Sequence, residues 1–408
     1  MRFLTSAPWG GLTKAPFALL VALTACGTLG MHVIIPALPA TARALDMSIA
    51  TTQLTITLYL IGLAFGQLFY GPMSDRFGRR PVLLAGLTLF TLASLLTAVA
   101  PTSGVLIGAR VLQSLGGCAG LVLGRAAVRD GAAPDKAAGQ LAMLTLVMSM
   151  IPAIAPAVGG YLTAYVHWRA SYVFLAILGG LTLLVTVLIL PETNKTRLGG
   201  PSWRALFTGY AFLGRSHAFL GYAAGGACST TSFYAFMAAS PFLFEGVLHR
   251  PTQEVGLYYI FLMGGVGLGS FLANRLSRIT SLRRGLILAN ALTITGGTLF
   301  LLIDVLDVLS APLMIAAVTL FMIGSGMASP FALAGSVSVS PRTIGAASGL
   351  YGFFQMGYGM LCTVAVELWH PGAVYPVAVI MLVSALAGGA IIEVGTRPPR
   401  NLPSPPTG

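Results

Sequence analysis

Two ionisable side chains interrupt long apolar runs of this chain and could take part in proton-linked chemistry. Arg110 lies in the segment Arg110-Val-Leu-Gln113, and His32 lies in the segment His32-Val-Ile-Ile-Pro36. A buried guanidinium is a fixed cation that sets the local potential and couples to a titrating group. Gln113 follows Arg110 by three residues and therefore shares its helix face. The ordinary pKa of histidine is close to physiological pH, so His32 is a candidate proton carrier.

Both residues also have a purely structural interpretation. Arg110 lies a turn or two inside its apolar run, so its side chain could instead snorkel to the interface. His32 could be a neutral packing residue that makes a hydrogen bond. Pro36 could free a carbonyl and kink the helix near His32, or Pro36 and Pro39 could mark the end of that helix. The residues alone leave these alternatives open.

Acidic residues are rare, and we expect none in the middle of an apolar run. The chain contains 11 aspartates and glutamates. Three of them fall at the ends of apolar runs, where we expect water: Asp304, Glu367 and Glu393. The sequence therefore predicts no carboxylate that would carry a proton inside a membrane.

Four charges are concentrated in segment 71–81, between two apolar runs. Asp75 could cap the next helix or pair with an arginine across the molecule, and such a pair could hold one conformation and break in another. The alternative is that the charges only determine the side of the membrane. Gly71-Pro72 and Gly78 predict a specific turn, because glycine permits positive φ. The candidate gating residues are Gly71, Asp75, Arg76, Gly78, Arg79 and Arg80.

A second candidate gating element combines prolines with glycines. Small residues allow close helix contact, and proline with glycine allows bending. We predict a packing and bending element where two halves of the molecule meet; ordinary packing of membrane helices is the alternative. The residues are Pro152, Pro156, Gly159 and Gly160.

Aromatic and amide side chains inside apolar runs are candidates for a substrate cavity. An apolar, aromatic cavity with few polar groups suits a small lipophilic substrate. The candidates are Tyr59, Gln113, Tyr234 and Gln355.

The composition indicates a membrane protein. Of 408 residues, 56% are hydrophobic and 8% are charged, whereas soluble domains carry about 25% charged residues. The net charge of +12 does not predict a nucleic-acid partner, because the basic residues lie in short loops between apolar runs. The four cysteines lie inside apolar runs without metal-ligand spacing, so we predict neither disulfides nor a metal site. We expect no cofactor.

Twelve membrane spans are predicted, each with about 20 mostly apolar residues. If the N-terminus is cytoplasmic, only Arg43, Arg169 and Arg250 of the 23 lysines and arginines lie in outside loops. This bias predicts that both termini are cytoplasmic. The spans are 16–38, 52–72, 81–100, 104–126, 138–163, 169–190, 218–243, 255–274, 284–304, 309–333, 343–366 and 372–393.

The spans divide into two groups of six. We predict an N-terminal bundle over 1–190, a cytoplasmic linker over 191–217, a C-terminal bundle over 218–396 and a disordered tail over 397–408. Asn274-Arg275 and Arg283-Arg284 stand in the second half where Asp75-Arg76 and Arg79-Arg80 stand in the first. This weak repeat, with the six-plus-six count, predicts an all-α membrane protein with a site between two related bundles.

Several motifs, in order along nearly the full chain, resemble those of major facilitator transporters, and most closely the bicyclomycin/chloramphenicol-resistance (Bcr/CflA) branch of drug/proton antiporters. Each motif alone is weak to moderate, and their order carries the resemblance. The matching segments are Pro36-Ala-Leu-Pro39, Gly71 to Pro81, Arg110-Val-Leu-Gln113, Pro152 to Gly160, His167-Trp168-Arg169, Pro191-Glu192-Thr193 and Gly345 to Gln355.

The resemblance implies a twelve-helix major facilitator fold in a bacterial inner membrane. It implies export of small hydrophobic or amphipathic compounds, driven by protons through alternating access, by a monomer. The branch usually has an aspartate four residues before Pro36-Ala-Leu-Pro39, where this chain has His32. Three alternatives follow: His32 takes over proton coupling, Asp75 and Arg110 shape the coupling in another way, or the coupling is weak.

Three other functions are alternatives to drug export. An exporter of one endogenous metabolite would have the same fold. A membrane-embedded enzyme is disfavoured because no cluster of metal ligands or phosphate-binding loop is present. A transporter-like receptor is disfavoured because such proteins usually carry a signalling domain.

Overall fold

In the computed structural model the chain is helical throughout its described part, residues 16–131, 134–194, 203–340, 344–370 and 372–397, and no strand occurs in these ranges. The helices are α1 (Phe17–His32), α2 (Leu38–Ala44), α3 (Ile49–Phe77), α4 (Arg79–Ala98), α5 (Ser103–Gly131), α6 (Pro134–Tyr165), α7 (Ala170–Ile189), α8 (Trp203–Gly214), α9 (His217–Thr231), α10 (Phe233–Phe242), α11 (Thr252–Leu276), α12 (Leu282–Val305), α13 (Ala311–Ser338), α14 (Ile344–Trp369) and α15 (Val374–Gly395).

Ten helical stretches in the described chain are long and apolar enough to cross a membrane. The first comprises α1, a 3-10 turn at Ile35–Ala37 and α2, and it ends at Ala44. Pro36 and Pro39 lie in the first turns of the 3-10 segment and of α2, so they mark the junction of two helices within one span. The two other predicted spans coincide with α14 and with α9 and α10, which are separated at Ser232.

Helices α1 to α7 pack against one another, as do α9 to α15, and we call these groups the N-terminal and C-terminal sets. In the N-terminal set, α5 packs against α1, α3 and α4 through small residues. A Cβ atom on Gly27 of α1 would lie 2.7 Å from the carbonyl oxygen of Gly117 of α5. In the C-terminal set, α13 packs against α9, α11 and α12, and Gly326 lies directly against the backbone of Val266. Small residues on the two central helices thus allow close helix contact.

In three helices, a side chain from another helix binds the carbonyl group that an internal proline leaves unpaired. A proline lacks the N–H that would pair with the carbonyl four residues earlier. Tyr210 of α8 donates to Leu68 O across 2.9 Å, which is the carbonyl freed by Pro72. Ser270 of α11 donates to Gly326 O, freed by Pro330, across 3.2 Å. Tyr259 donates in the same way to Met237 O, freed by Pro241, across 3.4 Å.

The two sets meet along α3 with α14 and α6 with α11. We call the end of the molecule with the α3–α4 junction the basic end, and the end with α2 and the π-helical turn Leu243–Val247 the far end. Helix α8 lies in the predicted linker and contacts α9 and α14. The predicted disordered tail, apart from Arg397, lies outside the described residues.

Candidate functional site

Arg110 lies wholly inside the N-terminal set. Its side chain is completely buried. Nη1 donates to Gly30 O of α1 across 2.7 Å and to Gln113 Oε1 across 2.5 Å, and Nε donates to Thr55 O of α3 across 3.3 Å. The guanidinium therefore does not snorkel to the interface; it ties α1, α3 and α5 together.

The charge of Arg110 is stabilised by dipoles and by an aromatic ring. Its guanidinium carbon lies 4.1 Å from the centroid of the Tyr59 ring, which is close enough for a cation–π interaction. No carboxylate in the described part of the chain lies within ion-pair distance of it, and Nη2 makes no hydrogen bond there. Buried charges normally have a paired counter-charge. Arg110 therefore adds net positive potential to the middle of the N-terminal set.

Two predicted cavity residues surround Arg110 and are completely buried themselves. The Tyr59 hydroxyl donates to Gly27 O across 2.8 Å, and Gln113 Nε2 donates to Ser94 Oγ across 2.7 Å. In this conformation both residues belong to the packed interior of α1, α3, α4 and α5. Their contact with a substrate stays a prediction.

His32 is the last residue of α1 and is buried. Its Nδ1 lies 2.8 Å from Thr28 O in the same helix. Because a carbonyl only accepts, Nδ1 carries the proton and donates. This geometry matches the packing interpretation, and the titration of His32 during transport stays a prediction.

The other two predicted cavity residues lie in the C-terminal set, apart from the Arg110 cluster. Tyr234 is the second residue of α10 and stacks on Phe233, with 4.4 Å between ring centroids. Gln355 of α14 is half-buried and donates through Nε2 to Thr230 Oγ1 of α9 across 3.0 Å. The structure therefore divides the predicted cavity residues between the two sets.

The turn in segment 71–81 is shorter than predicted. Helix α3 continues through Gly71 and Pro72 to Phe77, and α4 begins at Arg79. The prediction of a turn at Gly71-Pro72 is wrong, because the carbonyl freed by Pro72 is bound by Tyr210 and the helix continues. Gly78 alone makes the turn, with φ of 97°, and a Cβ atom there would overlap the Glu192 carboxylate.

The charges at this turn form a network within the N-terminal set. Arg79 pairs with Asp75 across 2.5 Å and with Asp130 of α5 across 2.9 Å. Arg80 donates to Val187 O of α7 across 2.8 Å. In this conformation Asp75 therefore pairs with an arginine four residues later. Arg76, also a candidate, lies over the Phe77 ring at 5.5 Å.

Glu192, and not Asp75, caps α4. One carboxylate oxygen of Glu192 accepts from Arg79 N across 2.9 Å, and the other accepts from Arg80 N across 3.3 Å. A carboxylate at a helix N-terminus binds the free N–H groups and opposes the helix dipole. The motif Pro191-Glu192-Thr193 was visible in the sequence, but nothing in it indicated a role at a turn more than a hundred residues away.

The proline–glycine segment of α6 lies between the two sets. A Cβ atom on Gly256 of α11 would lie 2.7 Å from Pro156 O, and Gly159 lies directly against Val33 O. Helix α6 is continuous through Pro152 and Pro156. Pro156 therefore takes part in close packing between the sets and Gly159 in close packing within the N-terminal set, while bending at Pro152 or Gly160 stays a prediction.

A set of polar contacts that was not predicted from the sequence lies where α3 meets the C-terminal set. Gln53 donates to Ala238 O across 3.3 Å, and Gln67 donates to Gly352 O across 3.3 Å. Thr57 contacts Glu367 across 2.5 Å. Glu367 lies near the end of its span, as expected, but it is half-buried against α3. We call these contacts the α3 seam.

An ion pair joins the sets at the far end. Arg43 of α2 pairs with Glu245 in the π-helical turn. In the described part of the chain, no group of three or more His, Cys, Asp and Glu side chains is arranged to hold a metal ion.

Comparison with known proteins gives concordant results. The family model of the Major Facilitator Superfamily matches residues 20–363. Multidrug resistance protein D of Escherichia coli is 30% identical over 87% of this chain and 89% of its own length. A chloramphenicol resistance protein of Pseudomonas aeruginosa is 30% identical over 92% of this chain and 87% of its own. A bicyclomycin resistance protein homolog of Haemophilus influenzae is 28% identical over 81% and 83%.

A solved structure shows the same fold. The crystal structure of a D-xylose-proton symporter superimposes with a TM-score of 0.67 at 14% identity, covering 93% of this chain and 98% of the symporter. The resemblance to the Bcr/CflA type is confirmed by the named relatives. The chain is a multi-pass membrane transporter and not an enzyme, and it belongs to the Major Facilitator Superfamily.

Proposed function

We propose that this transporter exports small hydrophobic or amphipathic compounds of the drug and antibiotic class in exchange for protons. It acts as a monomer in a bacterial inner membrane, with both termini and the basic end in the cytoplasm. The names of three relatives that cover most of the chain support this substrate class. The basic loops between spans support the orientation.

The position of the ion pairs supports alternating access. Arg43 and Glu245 join them at the far end. At the basic end, Asp75, Arg79 and Asp130 pair within the N-terminal set. This arrangement fits a conformation that is closed at the far end. Transport requires that the far-end contacts break in a second conformation, while contacts between the sets form at the basic end.

The electrostatics of the N-terminal set favour a coupled proton that binds elsewhere. Arg110 is completely buried and has no counter-charge within ion-pair distance in the described part of the chain. A second positive charge near it would be unfavourable, so a protonated His32 close to Arg110 would have to be offset by a wet or anionic neighbour. We therefore infer that Arg110 sets the local positive potential and that a carboxyl group binds the coupled proton.

Efflux from inverted membrane vesicles energised by a pH gradient tests the proposal. The panel contains chloramphenicol, bicyclomycin and other lipophilic compounds. We expect gradient-dependent accumulation by the wild type and its loss in Arg110→Ala, whereas Arg250→Ala, which removes an exposed arginine, should accumulate normally. The same accumulation assay on His32→Ala tests whether transport depends on His32. His370→Ala, at an exposed histidine, is its control.

Two results would contradict the proposal. Accumulation that persists after the pH gradient is collapsed would show that transport is not coupled to protons. The absence of accumulation for every compound in the panel, with the protein inserted in the membrane, would favour the alternative of an exporter for one endogenous metabolite.

A further inference from the structure

Glu367 places a carboxyl group between the two sets near the far end. It lies in the last turn of α14 and is half-buried. Its Oε1 atom lies 2.5 Å from Thr57 Oγ1 of α3. The sequence predicted no carboxyl group inside the membrane, and Glu367 is the acidic side chain that the structure adds to the α3 seam.

Glu367 stands at one end of a row of hydroxyl contacts. Thr57 Oγ1 also lies 2.8 Å from Thr363 Oγ1, and Thr363 Oγ1 lies 2.8 Å from Met360 O. These atoms form a row of three short contacts that ends on a carbonyl. A longer contact of 3.3 Å joins Thr57 to the carbonyl of Gln53 in its own helix.

The direction of donation in this row follows from its last member. Met360 O only accepts, so Thr363 must donate to it. The Thr363 hydrogen is then used, and Thr57 must donate to Thr363. When all three contacts are made as hydrogen bonds, the Thr57 hydrogen is used in turn and Glu367 donates to Thr57. An ionised Glu367 instead accepts from Thr57, and Thr363 then donates either to Thr57 or to Met360 O. Only a protonated carboxyl group donates, and an ionised Glu367 leaves one of the three contacts without a hydrogen.

We propose that Glu367 is a proton-binding site of this transporter. When it is protonated, Glu367 joins α14 to α3 through Thr57 and helps to keep the far end closed. When it loses the proton, the row loses one of its three contacts, and the charged carboxylate favours the opening of the far end to water, because a charge in a half-buried site is poorly solvated. The inference rests on the proposed proton coupling and names the group that carries the proton.

The charged side chains of the helices packed against α14 leave Glu367 without an ionic partner. In the described part of the chain, none lies within ion-pair distance of it. Helices α10 and α13 contain no charged residue. The charged and histidine side chains on α3, α8, α9 and α15 are Asp75, Arg76, Arg204, His217 and Glu393. Those at or beside the far-end loops are Arg43, Asp46, His167, Arg169, Glu245, His249, Arg250, Glu254, Asp304, Asp307 and His370.

A second acidic residue at the far end, Glu245, is paired with Arg43. Glu367 differs from it because no cation in the described part of the chain lies within ion-pair distance of its carboxyl group.

A distance measurement between spin labels tests the proposal on the full-length protein in detergent or nanodiscs. The labels are placed at Ala44→Cys and Val247→Cys, which are exposed and flank the Arg43–Glu245 pair. The four native cysteines are buried and should label poorly. We expect the distance between the labels to increase as pH rises, because Glu367 ionises.

Three variants identify the group responsible. Glu367→Gln should hold the short distance at all pH values, because an amide donates to Thr57 without ionising. Thr57→Val should increase the open fraction at every pH, because it removes the joint. Glu254→Gln makes the same change of charge at a half-buried glutamate near the far end, which pairs with Arg250 inside the C-terminal set, and should respond as the wild type does.

The outcomes separate this proposal from proton-coupled export in general. A pH response that persists in Glu367→Gln, or a wild type without a pH response, would overturn the assignment to Glu367. The distance measurement needs no substrate. A normal pH response of the distance, together with vesicle accumulation that ignores the pH gradient, would instead overturn proton-driven export and leave Glu367 as a pH-sensitive joint.

Discussion

The ring of Tyr59 on α3 lies beside the guanidinium of Arg110 on α5, with 4.1 Å between the guanidinium carbon and the ring centroid. Both side chains are completely buried. The ring faces the cation while its hydroxyl donates to Gly27 O of α1. One aromatic residue thus links the buried charge to two neighbouring helices, and its two interactions can be removed separately.

Tyr59→Phe and Tyr59→Leu should differ in stability. The Phe variant loses only the hydrogen bond to Gly27, which is expected to cost about 1 kcal/mol. The Leu variant also loses the cation–π interaction, expected to be worth about 2 kcal/mol when desolvated. Thermal unfolding in detergent should give a lower midpoint for Leu than for Phe. Equal midpoints would show that the ring does not stabilise Arg110.

A double-mutant cycle tests whether Tyr210 compensates for Pro72. Tyr210→Phe leaves Leu68 O unpaired, at an expected cost of about 1–3 kcal/mol. In Pro72→Ala the backbone N–H of residue 72 can pair with Leu68 O, so the same Tyr210→Phe change should cost much less. Equal costs in both backgrounds, measured by thermal unfolding, would contradict this account.

The contact between Tyr210 and Leu68 should not change with pH in the physiological range. Burial raises the pKa of Tyr210 to about 12, so the phenol keeps its proton and donates. Because the folded pKa is raised, the contribution is complete below about pH 10, the ordinary tyrosine value, and is lost as pH rises toward 12. The stability difference between wild type and Tyr210→Phe, measured at several pH values, should therefore be constant through neutral pH. A difference that shrinks below pH 9 would indicate that another group is responsible.

Alanine at Gly78 should be harmful, and alanine at Gly71 should not. Gly78 has a positive φ and lies against Glu192, so a Cβ atom adds backbone strain and displaces the cap of α4. Gly71 is helical with open space around it, and alanine there should stabilise the helix by up to about 1 kcal/mol. Thermal unfolding of the two variants provides the comparison. A tolerated Gly78→Ala, or a damaging Gly71→Ala, would show that the turn is not confined to residue 78.

A similar comparison on α5 tests the close packing with α1. A Cβ atom on Gly120 would overlap Leu23 O, whereas Gly108 on the same helix has nothing within 4 Å. Gly120→Ala should therefore force the two helices apart and lower the yield of monodisperse protein in size-exclusion chromatography. Gly108→Ala should leave the elution profile unchanged. Indistinguishable profiles would mean that α1 and α5 can separate at little cost.

Local sequence features predicted the fold well. Apolar length placed ten spans that coincide with helical stretches, and the motifs at Gly71–Pro81 and Arg110 indicated the family. The errors occurred where a distant side chain decides local structure. Pro72 interrupts no helix because Tyr210, 138 residues away by number, binds the freed carbonyl, and no local pattern reveals that contact.

The site was predictable in part for the same reason. Arg110, Gln113 and Tyr59 were identified as unusual polar or aromatic groups in apolar runs, and the structure brings these three together. Glu367 was missed because its position near a span end is ordinary. Its importance depends on the approach of Thr57, which lies in the other set. Contacts between the sets leave no periodic signal in the sequence.

The most direct test of the account is proton movement caused by substrate. Purified transporter is reconstituted into sealed liposomes that contain a pH-sensitive dye, with no imposed gradient, and chloramphenicol is added outside. Exchange predicts that entry of the compound is accompanied by export of protons, so the lumen becomes more alkaline, and that a protonophore abolishes the change. Entry of chloramphenicol that requires the transporter but leaves the lumenal pH unchanged would contradict proton-coupled export.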